Sequence, residues 1–376
     1  MQQPVEIRPV KSRHDFKTFV KLPWKINAGD PCWVPPLLMD RYKVLNREKN
    51  PFFRHNPAEF YLAFRNGEPV GRIAAITNRL HNEYHKDKAG FFGFLEAVED
   101  PEVFAALLKT VEKWLKERGC DKMLGPMNPS TNDEVGFLIE GFTTPPYLMM
   151  PHNPPYYDRV MRELGYTKAK DLYAYLLNKD ILPPLTKLER VSQAILKRKK
   201  VTLRPLNMKN FKDELEFVRT VYNDAWSRNW GFVPMTPEEF DFVANDFKQI
   251  IDPELALVAE YEGEPAGFAL SLPNYNEVFA KIPSGRLFPT GIFTFLTQKK
   301  KIHSIRVITL GVRQKYQHLG LSGLFIMETI QRGIRRGYDT AELSWILEDN
   351  DLMNRPLIRL KAELYKKYRV YQAPLN

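Results

Sequence analysis

Two short segments of this sequence occur twice at the same spacing, and this repeat constrains the fold more than any single motif. Residues 5–10 read VEIRPV and residues 201–206 read VTLRPL. The segment GEPVG at 67–71 recurs as GEPAG at 263–267, so both pairs lie 196 residues apart. Each Gly-Glu-Pro-x-Gly segment follows an apolar strand-like run and is typical of a hairpin turn, in which glycine supplies the positive φ. The sequence therefore predicts two copies of one structural unit.

Further matches extend the repeat towards the end of each half. With the spacing increased to 218, Gly119 and Asn132 match Gly337 and Asn350. In both halves the pattern is strand, helices, hairpin, strand, turn, helix and strand, which is typical of an α/β unit. We therefore predict three parts of the chain: a first domain at residues 1–179, a basic linker helix at residues 180–200, and a second domain at residues 201–376.

The segment at 304–337 predicts a buried strand, a tight turn and a helix. Its first part, residues 305–312, is an apolar and β-branched run. The helix is indicated by Ile326, Ile330 and Ile334, which recur every four residues. Such a turn brings backbone N–H groups together at the positive end of the helix dipole, which favours phosphate binding. The turn contains these small or polar residues: Gln317, Gly320, Ser322 and Gly323.

The spacing within this turn distinguishes among phosphate-binding loops. A Walker loop needs Lys and then Ser or Thr after its last glycine, and a dinucleotide fingerprint needs G-x-G-x-x-G; neither occurs here. The spacing is V-x-x-x-Y-[QR]-x-x-G-[IL]-[GAS], which resembles the coenzyme A pyrophosphate loop of GNAT acyltransferases. Gln314 stands where that family often has proline, and Ser322 stands where glycine or alanine is usual. The alternative is a glycine-containing turn without a ligand. The matching residues are Val312, Tyr316, Gln317, Gly320, Leu321 and Ser322.

This resemblance implies a fold and a co-substrate. Each half is expected to be a GNAT fold, a mixed twisted sheet flanked by helices, which places the chain in the α/β (α+β) class. The co-substrate is expected to be acyl-CoA, held between the strand before the loop and the strand at 340–347, with no metal ion. The coenzyme contacts that the resemblance implies are Leu310, Val312, Gln317, Leu319, Gly320, Leu321, Ser322, Gly323 and Asn350.

The first half is expected to have lost this coenzyme site. At the positions that match Gln317 and Gly320, the first half has Glu99 and Glu102, and Phe104 occupies the position of Ser322. Carboxylates repel a pyrophosphate, and a phenylalanine fills the space that backbone amides need. We therefore expect one coenzyme for each chain, with the first half as a structural partner.

Two residues are candidates for proton transfer. Glu348 follows the strand at 340–347 and is a candidate base for an ammonium acceptor, although an ordinary exposed carboxylate at a strand end is as good an interpretation. GNAT enzymes often carry a tyrosine in the final helix that protonates the leaving thiolate, and here Leu357 stands at that position. Tyr365 is the first tyrosine after it and the candidate that we carry forward, with Tyr368 and Tyr371 as alternatives.

The whole chain resembles a family of bacterial tandem GNAT-like proteins. The resemblance rests on NPPYY in the first half and on LEDN and YRVY in the second. It implies an acyl-CoA-dependent N-acyltransferase, and some relatives of this type form ceramide, so a long-chain, sphingoid-type amine is the more specific expectation for the acceptor. The residues expected to bind the acceptor are Asn229, Trp230 and Asn276.

The net charge, the cysteine count and the absence of long apolar runs indicate the kind of partner and the cellular compartment that we expect. The formal net charge of the 376 residues is +10, which suits an anionic partner such as coenzyme A, nucleic acid or an acidic membrane face. Basic clusters occur in the linker at 187–200 and at 299–303. The two cysteines, Cys32 and Cys120, are too few for a disulfide framework, and no apolar run approaches the length of a bilayer helix. We expect a cytoplasmic protein with peripheral contact to the membrane.

Two other interpretations remain open from the sequence. One is a protein that binds acyl-CoA without turnover, which the missing tyrosine favours. Another is a nucleic-acid binder, which has the charge but no recognisable reader motif. His81, Glu83 and His85 suggest a metal site, but no signal for a further ligand lies nearby. We therefore expect an exposed polar helix there instead.

Overall fold

The computed structural model describes residues 3–197 and 200–375, and the chain forms two compact units. The predicted domains, residues 1–179 and 201–376, are contiguous, whereas the first unit also includes two segments from the later part of the chain and the second unit begins at Tyr173. The predicted linker residues Arg198 and Lys199 lie outside the described residues. The first unit contains Met1–Leu172, Val278–Thr297 and Lys366–Asn376, and the second contains Tyr173–Glu277 and Gln298–Tyr365.

Strands and helices are interspersed along the chain. The strands are β1 (Glu6–Pro9), β2 (Ala58–Arg65), β3 (Glu68–Thr77), β4 (Ala89–Ala97), β5 (Lys122–Gly125), β6 (Met127–Asn128), β7 (Glu134–Val135), β8 (Phe137–Glu140), β9 (Thr167–Asn178), β10 (Val201–Pro205), β11 (Ala256–Tyr261), β12 (Glu264–Pro273), β13 (Ser304–Val312), β14 (Thr340–Leu347) and β15 (Glu363–Pro374). The α-helices are α1 (Arg13–Ile26), α2 (Leu38–Val44), α3 (Arg79–His85), α4 (Pro101–Lys116), α5 (Tyr156–Glu163), α6 (Thr186–Lys197), α7 (Phe211–Ala225), α8 (Pro237–Phe247), α9 (Asn276–Phe279), α10 (Ile292–Gln298), α11 (Leu321–Arg335) and α12 (Asp351–Arg359).

The same strand order occurs in both units. In the first unit the order is β1-β2-β3-β4-β5, and in the second it is β10-β11-β12-β13-β14. In each unit the first four strands pair antiparallel, and the fourth and fifth pair parallel. The hairpins predicted from the repeat are present, because Asn66 and Gly67 of one turn and Glu262 and Gly263 of the other all have positive φ. Two central residues with positive φ match the right-handed twist of the strands they join.

The first unit packs α4 against one face of its sheet. Phe104, Leu107, Val111 and Leu115 recur every three or four residues and are at most 1% exposed. They join one apolar cluster with Phe92 of β4. Phe104 therefore lies in the core, as expected if the start of this helix no longer serves a ligand. The last part of β15 extends this sheet by pairing antiparallel with β5.

The second unit packs α11 against its sheet in the equivalent way. Leu321, Leu324 and Phe325 are buried with Val312 of β13 in one apolar cluster. Gly267 of β12 lets the helix approach, because a Cβ atom there would lie 2.8 Å from the Phe325 ring. This close packing fixes the start of α11 relative to the end of β13, which positions the predicted loop.

The helix α3 differs from the sequence prediction. We expected an exposed polar helix, but His81 is only 5% exposed and packs edge-on against Phe91. Burial lowers the pKa of His81 to about 4, although Asp87 lies 3.9 Å away. The expectation was wrong for His81 because one side of this seven-residue helix faces the sheet. Within the described ranges, no group of three His, Cys, Asp or Glu side chains is placed to hold a metal ion.

We predict that His81 makes the fold less stable in mild acid. The unfolded chain binds a proton near pH 6.5 and the folded chain only near pH 4, so stability falls as pH decreases through this window. The loss between pH 7 and pH 5 should be about 2 kcal/mol. Urea unfolding of the wild type and of His81→Gln at both pH values measures it, and the variant should lose correspondingly less stability. Equal losses in the two proteins would contradict the assignment.

Candidate active site

The predicted phosphate loop leads directly into a helix without a side-chain cap. After β13, a 3-10 helix runs from Gln314 to Leu319, and Gly320 then adopts a left-handed conformation with φ 75°. No side chain caps the start of α11 in this described segment. The amides of residues 321–323 precede the first intrahelical bond, which Leu324 donates to Gly320. Three amides at the positive end of a 15-residue helix suit an anionic ligand.

The end of α7 anchors the beginning of this loop. The Gln314 amide donates to Asp224 Oδ1 at 2.6 Å, and its side-chain nitrogen donates to Ser227 Oγ at 2.9 Å. Gln314 is the residue that departs from the family pattern, and these bonds give it a structural role. Tyr316, which matches the pattern, is 8% exposed and donates to Glu264 Oε2 at 2.8 Å. The loop is therefore held in place before any ligand binds.

The predicted linker helix α6 lies against the start of α11. A Cβ atom at Gly320 would lie 3.3 Å from Ile195 Cδ1, and one at Gly323 would lie 3.3 Å from Leu188 Cδ1. Both distances are shorter than ordinary carbon contacts. The apolar residues Leu188 and Ile195 of α6 therefore dock on the second unit, and the two glycines let α6 approach the loop closely.

The strands β13 and β14 stop pairing part-way along their length. Their parallel ladder contains four residue pairs, from Ser304 and Thr340 to Val307 and Leu343. Residues 308–312 and 344–347 continue both strands outside this ladder. The register between β12 and β13 shifts at the same place, where Ile308 is the extra residue of a β-bulge. The two strands thus diverge towards the phosphate loop, and backbone groups there can pair with an extended amide-containing ligand.

A buried polar network lies beside the last pairs of this ladder. Arg306 is 2% exposed, and its Nε donates to Ser344 Oγ at 3.0 Å. Ser344 Oγ donates to Glu342 Oε1 at 2.6 Å, and Glu342 is fully buried. The Tyr365 hydroxyl donates to the other oxygen of Glu342. Arg306 also stacks 5.0 Å above the Trp345 ring, so the cation and the carboxylate are each held by several partners.

The sequence analysis did not single out Arg306, Glu342 or Ser344. A signal existed, since each of two otherwise apolar strands carries one charged residue, Arg306 in SIRVITLGV and Glu342 in TAELSWIL. The parallel register places these two residues directly opposite each other. Without that register, neither could be assigned to the same site as Tyr365.

Two buried hydroxyl groups lie near the point where β13 and β14 separate. Thr309 Oγ1 and Ser271 Oγ are buried and have no hydrogen-bond partner among the described residues. Thr309 is opposite Leu270 in the ladder, and Ser271 is the next residue along β12. Buried polar atoms are normally paired, so such atoms beside an opening indicate a place where a ligand or water makes the missing bonds.

The predicted residues at the end of β14 lie together. Glu348 is half-buried directly after the strand. Asn350 caps α12 by accepting from the Met353 amide at 3.3 Å. The neighbouring Asn354 donates to the carbonyl oxygens of Leu347 and Glu348 at 3.1 and 3.2 Å. These bonds fix the strand end and Glu348, and the coenzyme contact assigned to Asn350 stays a prediction.

The predicted acceptor-binding residues lie at opposite ends of β13. Asn229 and Trp230 follow Trp226, whose ring would lie 2.2 Å from a Cβ atom at Gly311 of β13. This turn is therefore beside the diverging end of the strand. Asn276 begins α9 just after β12, whose Pro273 pairs with Ile305 at the start of β13. The structure therefore separates Asn276 from the other two.

In the first unit the equivalent helix start is capped by the protein itself. Asp100 accepts from the Glu102 amide at 2.9 Å, and Arg65 forms ion pairs with both carboxylates. Arg159 pairs with Glu99 at 2.7 Å. The two carboxylates predicted to repel a pyrophosphate, Glu99 and Glu102, thus lie at this helix start, and Asp100 between them already accepts from one of its amides.

The equivalent strand divergence in the first unit is also filled. The Met127 carbonyl oxygen would lie 1.8 Å from a Cβ atom at Gly93 of β4. The side chain of Asn128 accepts from the Phe94 amide at 2.6 Å. The β6 residues Met127 and Asn128 thus fill the space beside β4. In the second unit, the equivalent part of β13 is not paired with β14. Both observations support the prediction of a single coenzyme site.

Comparisons with known proteins identify the family. Protein YghO of Escherichia coli (strain K12) is 38% identical over 372 residues, which cover 97% of this chain and 94% of YghO. The bacterial ceramide synthase of Caulobacter vibrioides (strain NA1000 / CB15N) is 38% identical over 378 residues, covering 99% and 98% of the two chains. The chain belongs to their family. No protein-family profile matches the sequence.

Solved structures show the fold of this chain. A tandem GNAT protein from the clavulanic acid biosynthesis pathway matches with a TM-score of 0.57 at 12% identity, covering 99% of both chains. A GCN5-related N-acetyltransferase from Sphaerobacter thermophilus matches with a TM-score of 0.53 at 13% identity, covering 99% of this chain and 96% of the other. The predicted fold class, two GNAT folds in tandem, is confirmed, and this tandem GNAT fold together with the family supports acyltransferase activity.

We predict that one coenzyme A binds to each chain and that Ser322→Glu weakens its binding at least tenfold. The new carboxylate would lie beside the amides of residues 321–323 and would repel the pyrophosphate. Titration calorimetry with coenzyme A measures both the affinity and the stoichiometry. Ser322→Ala is the matched control and should keep the wild-type affinity. Two equivalent sites in the wild type, or unchanged affinity in Ser322→Glu, would contradict the assignment.

Proposed function

We propose that this protein is an acyl-CoA-dependent N-acyltransferase whose reaction takes place in the second unit. The observation that supports this most is the divergence of β13 and β14 next to an uncapped helix start. The loop suits the pyrophosphate, the separated strands suit the amides of the pantetheine arm, and the thioester would then lie beside Leu310, in the unpaired part of β13. No comparable opening is left beside β4 in the first unit.

In the proposed reaction, a neutral amine attacks the thioester carbonyl carbon. The C–N bond forms, the C–S bond breaks, the ammonium loses a proton and the thiolate gains one. A backbone N–H of Leu310 or Val312 would polarise the carbonyl oxygen. Glu348, directly or through water, is the proposed acceptor of the proton from the amine.

Tyr365 is the proposed donor of the proton to the thiolate. The family position for this tyrosine is occupied by Leu357, which is fully buried in the apolar core and cannot serve. Tyr365 lies in the same unit, and its hydroxyl is held by Glu342. Arg306 and Ser344 in turn hold Glu342, so the network acts as the positioning element for Tyr365.

For the acceptor we propose a long-chain, sphingoid-type amine. The support is the relative from Caulobacter vibrioides, a bacterial ceramide synthase that is 38% identical over 99% of this chain. An acyl-CoA sensor without turnover is the second candidate, because Leu357 replaces the usual acid. A thioester-cleavage assay across amine acceptors distinguishes the two, since only the enzyme releases free coenzyme A in proportion to the amine supplied.

We predict that Tyr365→Phe lowers kcat about a hundredfold with little change in KM. Loss of a general acid removes stabilisation of the transition state more than binding of the substrate. Tyr368→Phe is the matched control, three residues along the same strand, and should keep nearly full activity. Steady-state kinetics of thioester cleavage measures both. Equal rates in the two variants would remove Tyr365 from the mechanism.

We also propose that the protein contacts an anionic membrane surface through the first unit. Three large apolar side chains in one segment are strongly exposed: Phe288 at 65%, Phe293 at 70% and Leu296 at 50%. Phe293 and Leu296 lie three residues apart on one face of α10. Lys17, Lys21 and Arg286 line a recess next to Phe288, which suits the phosphates of lipid head groups. Within the described ranges no helix is long and apolar enough to span a bilayer.

We predict that a double variant, Phe288→Ser with Phe293→Ser, binds anionic vesicles at least tenfold more weakly. Each aromatic ring contributes apolar area that leaves water at the interface. Co-sedimentation with vesicles of phosphatidylglycerol and phosphatidylcholine measures the affinity. Leu352→Ser is the control, since Leu352 is 80% exposed on α12 in the other unit. Wild-type protein that does not bind these vesicles, or a control that loses as much affinity, would contradict the proposal.

A further inference from the structure

A crevice in the second unit is not used by the site described so far. It lies between α11 and the sheet and measures about 590 Å³ when its open mouth is included. Most of its lining is aliphatic. The aliphatic residues are Leu177, Leu182, Ile305, Val307, Leu310, Ile326, Ile330, Ile334, Ala341, Leu343 and Leu360. Because the crevice is open to solvent, its apolar walls contact water, and an apolar ligand that filled it would remove that area from water.

The crevice begins where the ladder between β13 and β14 ends. Val307 and Leu343, the last pair of the ladder, both line it, and so does Leu310 from the unpaired part of β13. Neighbouring residues on a strand point to opposite faces. Val307 therefore points to the α11 face, and Arg306 points to the face that holds the polar network. The last pairs thus separate an aliphatic space from a polar one.

From this point the crevice follows α11 to the surface. Its lining along the helix runs from Ile326 to Ile334, a distance of about 12 Å at 1.5 Å per residue. The exposed members of the lining lie at the far end, where Ile334 is 46% exposed and Lys179 pairs with Asp339 at 2.6 Å. The shape is therefore a channel that is narrow, apolar and long, with a polar mouth.

We infer that this crevice binds the alkyl chain of the acyl donor. The inference rests on the proposed function, because it requires the thioester beside Leu310, which lines the crevice. From there the chain would continue along α11, while the amine would approach from the face of Arg306 and Glu342. An unbranched alkyl chain fits the lining, since it needs no hydrogen bonds and gains contacts with aliphatic side chains over its whole length. The donor is thus a medium- or long-chain acyl-CoA.

Binding of acyl-CoA of increasing chain length tests this inference without requiring turnover. Each methylene that enters the crevice should tighten binding roughly fourfold. We expect the wild type to bind palmitoyl-CoA more tightly than octanoyl-CoA, and octanoyl-CoA more tightly than free coenzyme A. Calorimetric titration below the micelle concentration of palmitoyl-CoA measures this series.

Two substitutions along α11 should shorten the chain that fits. Thr329→Leu narrows the middle of the crevice, where the Thr329 hydroxyl is buried without a hydrogen-bond partner among the described residues. Gly333→Leu narrows the far part, and Gly333→Ala is a smaller change there, since a Cβ atom would lie at an ordinary 3.6 Å from Ile305. We expect Gly333→Leu to weaken the binding of palmitoyl-CoA at least tenfold and to leave the binding of octanoyl-CoA nearly unchanged. Thr329→Leu should weaken both.

A matched control and a second ligand series separate the outcomes. Arg335→Leu adds the same side chain on the exposed face of α11 and should leave the whole series unchanged. Coenzyme A itself should bind equally to every variant. If coenzyme A binds but affinity does not depend on acyl length, the crevice is not the acyl site although the proposed function survives. If affinity depends instead on the length of a long-chain amine, the inference is also wrong. If no protein binds coenzyme A, the proposed function fails with it.

Discussion

The proposed site depends on the point at which two parallel strands stop pairing. Four pairs join β13 to β14, and a bulge at Ile308 then coincides with the separation of the strands. The helix that starts beyond the opening has amides without a side-chain cap, and α6 packs closely against it. Backbone N–H and C=O groups of β13 that do not pair with β14 are available to bind an extended ligand. A backbone irregularity, more than any single side chain, therefore creates the space for acyl-CoA.

The two units show how one topology can keep or lose such a space. The first unit has the same strand order, but β6 fills the position beside β4 and Asp100 caps the helix start. Its Phe104 belongs to the apolar core. These features stabilise the unit without a ligand, which fits a duplicated domain that no longer needs to bind one. The second unit has hydroxyls at Ser271 and Thr309 without a hydrogen-bond partner among the described residues, and an apolar crevice; both are unfavourable unless a ligand or water occupies them.

Local signals made much of this fold predictable from the sequence. Glycine turns, apolar strand runs and helical spacing depend on nearby residues, so the repeat, the strand at 340–347 and the loop before α11 were predicted correctly. The network of Arg306, Glu342 and Tyr365 was not predicted, although Tyr365 was named as a candidate proton donor, because the network depends on the register between strands that are distant in sequence. The burial of His81 was missed for a similar reason, since a short polar helix gives no sign of the sheet it packs against.

A crystal structure of the protein with a non-hydrolysable palmitoyl-CoA analogue tests the account most directly. The account predicts one analogue per chain, with its pyrophosphate at the amides of residues 321–323 and its pantetheine arm between β13 and β14. The alkyl chain should then follow α11 towards Ile334, opposite the face of Arg306 and Glu342. An analogue bound in the first unit, or one in the second unit that does not enter the opening between β13 and β14, would contradict it.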